Sequence, residues 1–147
     1  WQDHSWGPRR WADIASHRWI VAEFGPDLLV SALQIVRDTN PEPVPMGFIV
    51  DKGVLHRVER VTFGARIADD GHSPAGCDAR IWTASGHGYR ITGDVHTAVP
   101  SSHYEGFFFT DGLATFECGG RVGKGVFEMQ QLHRPAPWHP EIRASTA

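Results

Sequence analysis

The middle of the chain alternates apolar and polar residues too regularly for a helix. In CDARIWTASGHGYRITGDVHTAV, Cys77, Ala79 and Ile81 alternate with Asp78, Arg80 and Trp82. After Ser85-Gly86-His87-Gly88 the alternation resumes at Tyr89, Ile91, Gly93 and Val95. A period of two places one apolar face along a strand. The same pattern of short strands between turn signals runs through most of the sequence, which is the spacing of an all-β barrel or sandwich.

RWIVAEFG (18–25) meets the breaker Gly25-Pro26-Asp27 and is followed by LLVSALQIV (28–36), which reads as a hairpin. Asp51-Lys52-Gly53 lies between two apolar runs as a second tight turn, where glycine supplies a positive φ. Asp111-Gly112 reads as a third, followed by the cluster Gly119, Gly120, Gly123 and Gly125, the sign of bulges or bends in a curving sheet. Trp11, Ile14 and Ala15 fall at i, i+3 and i+4 in PRRWADIASHRW, a loop or one short helix. The fold class expected is an all-β, antiparallel barrel or half-barrel with at most one short helix.

The 147 residues suit one domain, 1–134, followed by a Pro-rich tail, 135–147. In the tail, PAPWHP places Pro135, Pro137 and Pro140 within six residues, so it cannot continue a sheet interior. The chain opens on Trp1 inside what reads as a strand, which fits a piece of a longer protein.

Charge and cysteine usage narrow the function classes. The 14 basic residues include only two lysines, Lys52 and Lys124, and are scattered over a chain of net charge −3. No basic stripe exists to track phosphates, so nucleic acid is not an expected partner. No run approaches the roughly 18 apolar residues of a membrane span, and no signal peptide is evident, so the cytoplasm is the expected location. Cys77 and Cys118 read as small strand residues, and their spacing supports neither a disulfide nor a zinc site. His96, His103 and Glu105 match no ligand spacing, so no metal and no cofactor is expected.

The chemistry concentrates in WQDHSWGPRRW. On an extended strand His4 and Trp6 share one side and Asp3 takes the other. His4 beside an indole is suited to proton transfer near neutral pH. Asp3 reads either as its assisting acid or as an ion-pair partner of Arg9, with Gly7 and Pro8 fixing the turn. Glu23 shares a face with Trp19 and Val21 and is expected to point inward as a second acid candidate. Glu117 and Glu128 also fall inside strand patterns, where they read as solvated or ion-paired residues.

QDHSWGPRRW resembles the motif of the lipocalin-like two-domain β-barrel family of carotenoid hydratases, AttH-like proteins and barrel-type Diels-Alderases. HRWIVAEF and the closing GKGVFEMQQLHR resemble its C-terminal half, so the likeness covers about residues 1–134. It implies a preceding lipocalin-like domain or a second subunit, and a hydrophobic ligand of terpenoid, steroid-like or polyketide-like class. It also implies that His4 and Trp6 match the His-x-Trp pair proposed to protonate a terpenoid double bond. The family's Tyr-x-Asp has no counterpart, since residues 31–36 read SALQIV. Trp6, Trp19, Trp82, Phe107 and Phe109 are the expected cavity wall. The expected activity is hydration, isomerisation or cyclisation; the alternatives are a non-catalytic carrier or chaperoning barrel, and a structural half-domain packed on a partner.

Overall fold

A computed structural model describes residues 13–104, 107–132 and 142–144, with side chains over 13–100 and 108–130. The strands are β1 (Ile14–Glu23), β2 (Leu28–Arg37), β3 (Asn40–Asp51), β4 (Val54–Ile67), β5 (Pro74–Thr83), β6 (Gly88–Tyr104), β7 (Phe107–Cys118), β8 (Arg121–Leu132) and β9 (Ile142–Ala144). They form one sheet in the order β3-β2-β1-β8-β7-β6-β5-β4-β9, and an added β3–β4 pairing closes β1 to β8 into a ring. The all-β expectation holds, with no α-helix among the described residues.

The alternation sets which face is buried. Ile20 and Ala22 of β1, Val30 and Ala32 of β2, Phe63 and Ala65 of β4, Ala79 and Ile81 of β5, and Phe127 and Met129 of β8 belong to one core inside the ring. The turn at Lys52-Gly53 forms as expected, and both residues take positive φ, +51° and +80°. That matches the twist a two-residue hairpin needs.

Two sequence expectations are corrected. Asp111-Gly112 is no turn: β7 runs through it, and the chain reverses at Gly119-Gly120, with φ of +57° and +81°. Gly112 serves packing, since a Cβ there would lie 2.9 Å from Val95 Cγ1 and 3.1 Å from the Phe127 carbonyl oxygen. The helical spacing at Ile14 and Ala15 also gives way, because both lie in β1, paired with β2 and β8 through most of its length.

Within the ring of β1 to β8 the weakest seam is β3–β4. Its pairing covers only Phe48–Asp51 against Arg57–Val54, after which the strands part around a cleft of about 640 Å³. Pro41, Pro43 and Pro45 leave this stretch of β3, beyond its pairing with β4, short of N–H donors. Across the gap the Gln34 side chain donates from Nε2 to the Val61 carbonyl at 3.0 Å. From the tail, β9 lies parallel to β4 at Ala65–Ile67.

Candidate functional site

With Ile20 and Ala22 turned inward, the odd residues of β1 face outward, and His17 and Trp19 stand together on that wall. Register carries the wall across two further strands. Trp19 lies opposite Glu128 and His17 opposite Gln130 on β8; those two lie opposite Asp111 and Phe109 on β7. His17 Nε2 approaches Glu128 Oε1 to 2.7 Å, ion-pair range but off the ring N–H axis. The Phe109 ring sits 5.7 Å from the imidazole, tilted by 52°. Trp19 Nε1 donates to Ser31 Oγ at 3.1 Å, and Gln130 Nε2 donates to the Ile14 carbonyl at 3.2 Å.

This patch is unusually dry for an outer wall. The side chains of His17 and Glu128 retain 10% and 17% exposure, and Gln130 is fully buried. An imidazole touching a carboxylate beside an aromatic ring can hold a proton or pass it to a bound molecule.

Behind the wall, the inward face of the same strands carries a polar layer. Arg18 and Ser16 of β1, Gln34 of β2 and Thr110 of β7 are all buried. Arg18 is flanked by Gln34 on one side and Met129 on the other, and its Nη1 donates to Ser16 Oγ at 3.4 Å. A buried guanidinium is costly unless polar groups surround it, and Ser16, Gln34 and Thr110 are the polar side chains buried in this layer.

Sequence reasoning missed His17, Arg18 and Glu128 as a group. The signal was present in HRW: His17-x-Trp19 repeats the spacing of His4-x-Trp6. Glu128, over a hundred residues away, joins them only through the β1–β8 register.

His4, Asp3, Trp6, Gly7, Pro8 and Arg9 lie outside the described residues. Glu23 is exposed at the end of β1, correcting its inward orientation: it shares parity with Trp19, and that parity faces outward. Trp19 likewise stands on the outer wall beside His17. Trp82 also faces out, capped by the Arg60 guanidinium 3.6 Å above its ring, and borders the β3–β4 cleft with Pro43, Pro45 and Glu59. Phe109 belongs to the His17 patch, and Phe107 opens β7. Of the expected aromatic wall, Trp19 and Phe109 therefore stand at one outer site and Trp82 at another. Cys77 and Cys118 are buried free thiols, and burial pushes Cys77 up to about 12.

Comparison with solved structures finds this architecture in two longer proteins. Kievitone hydratase from Nectria haematococca matches with a TM-score of 0.54 at 11% identity, over 79% of this chain and 39% of that one. A structure of CghA with Sch210972 matches with a TM-score of 0.56 at 12% identity, over 82% of this chain and 41% of that one. The chain thus spans about two fifths of the length of these structures. At such identities the likeness is one of fold, and it supports the lipocalin-like fold family without singling out a member. None of the curated proteins matches the sequence. A family model described as a domain of unknown function, DUF7064, matches residues 1–133, and the chain belongs to that family.

Proposed function

We propose that this barrel binds a hydrophobic small molecule, of terpenoid, steroid-like or polyketide-like class, against the β1–β8–β7 wall and catalyses proton transfer to it. The observation that carries this reading is the His17–Glu128 contact of 2.7 Å beside the Phe109 ring, with Trp19 next to His17 on the same wall. In this reading His17 donates or accepts the proton, Glu128 holds the compensating charge, and the aromatic rings receive the apolar body. His4, assisted by Asp3, is the second proton-transfer candidate, and a preceding lipocalin-like domain or a second subunit completes the pocket. The setting proposed is the cytoplasm; among the described residues no helix is long and apolar enough to cross a membrane.

The test is deuterium incorporation. The full chain is incubated in D2O with a panel of alkene-bearing terpenoids, steroids and polyketides, and products are read by mass spectrometry. Wild type is expected to label at least one compound, and His17→Asn or Glu128→Gln to slow labelling by about a hundredfold while binding persists. His4→Ala measured alongside separates the two histidines. Binding without labelling of any compound would instead favour the carrier reading.

A further inference from the structure

A second cluster sits at one end of the barrel, away from the His17 wall. His56 of β4 lies opposite Ile49 of β3, and the β5–β6 turn carries Ser85 and His87 to it. The turn is fixed by its backbone: Thr83 N–H donates to the His87 carbonyl at 3.0 Å, Gly86 N–H to the Thr83 carbonyl at 2.9 Å, and Ala84 N–H to the Arg57 carbonyl at 3.0 Å. Ser85 Oγ then becomes a hub, 2.8 Å from His56 Nδ1, 3.0 Å from His87 Nδ1 and 3.0 Å from Thr83 Oγ1. The two imidazoles meet edge to face, with centroids 4.9 Å apart.

Counting protons constrains the tautomers in the cluster. A serine hydroxyl has one proton and two lone pairs, so of its three partners one accepts and two donate. At least one imidazole must therefore direct an Nδ1–H at Ser85. A cation removes that demand, because both ring nitrogens and the hydroxyl oxygen become its donors.

We propose that His56, Ser85 and His87 bind one divalent transition ion of the Zn²⁺ or Cu²⁺ class. Tetrahedral sites with bonds of roughly 2.0–2.1 Å place neighbouring donors about 3.4 Å apart. The 2.8 and 3.0 Å edges about Ser85 reach that spacing with a movement of about half an ångström. Thr83, whose Oγ1 contacts the Ser85 hydroxyl, positions that ligand from behind. Imidazole nitrogen selects this class of ion over Mg²⁺ or Ca²⁺. Among the described residues no group of three His, Cys, Asp or Glu side chains converges, so the hydroxyl supplies the third donor and a fourth position stays open.

The experiment is titration of the full chain with Zn²⁺, Cu²⁺ and, for its visible spectrum, Co²⁺. One ion per chain is expected at micromolar concentrations, with His56→Ala and His87→Ala each weakening binding at least tenfold. Ser85→Ala should weaken it several-fold, and His96→Ala should leave it unchanged. Cu²⁺ should also broaden the imidazole NMR signals of His56 and His87 in wild type, a readout that needs no variant. Absence of saturable binding at about 100 µM ion, on the order of a hundred times the expected range, would overturn the proposal. So would a His56→Ala, His87→Ala double variant that binds as wild type does.

Discussion

At the scale of single residues, close approach and burial decide the outcomes. A Cβ on Gly125 would overlap the Val21 carbonyl oxygen, across the β1–β8 pairing. Gly125→Ala is expected to destabilise by about 1–3 kcal/mol, since the clash is with backbone that cannot rotate away; urea unfolding measures it. Tyr89 is raised to about 12 by burial and by its hydrogen bond to Asp51. The unfolded chain loses this proton near pH 10 and the folded chain near pH 12, so stability falls as pH rises through that window. Tyr89→Phe should flatten the fall, as followed by unfolding at stepped pH. Asp70 shows the opposite sign. Burial would raise it, but hydrogen bonds from Ser73 and the His72 and Ser73 amides, with the His72 charge, lower it to about 2. Its contribution is present above about pH 4 and is lost as pH falls toward 2. An NMR titration should place its midpoint at about 2.

Among the elements, the strands are unequal partners. β1 pairs along nearly its whole length with both β2 and β8, whereas β3 and β4 share only four paired positions. Hydrogen exchange is expected to be faster for amides of the β3–β4 seam than for those of β1 and β8, because local opening there breaks fewer bonds. The prolines of β3 keep its free edge from templating another strand. The Asp111-Gly112 dipeptide shows that composition alone can mislead about an element. It reads as a turn, yet the glycine is there because Val95 and the Phe127 carbonyl come too close for a side chain.

Across the whole molecule, one core ties the ring together. Phe63 on β4 and Phe127 on β8 stack 6.2 Å apart across the interior, and both are fully buried. Phe127→Ala should cost about 3–5 kcal/mol and lower the midpoint of a single cooperative transition, observed by circular dichroism. Ring closure also sorts the aromatic residues. Trp19 with Phe109 and Trp82 with Arg60 stand on separate outer patches, because the interior is taken by aliphatic residues, phenylalanines and the polar layer around Arg18.

The period-two pattern by itself determined the strands, several of their turns and the all-β class, because side-chain alternation and φ preference act within a few residues. It left open which side of each strand faces inward. For Glu23 and Trp19 that choice depended on how β1 pairs with β8, and the pairing turned both outward. The meeting of His17 with Glu128, and of His56 with Ser85 and His87, was decided only by tertiary structure, since strand register and ring closure join residues that no local spacing relates.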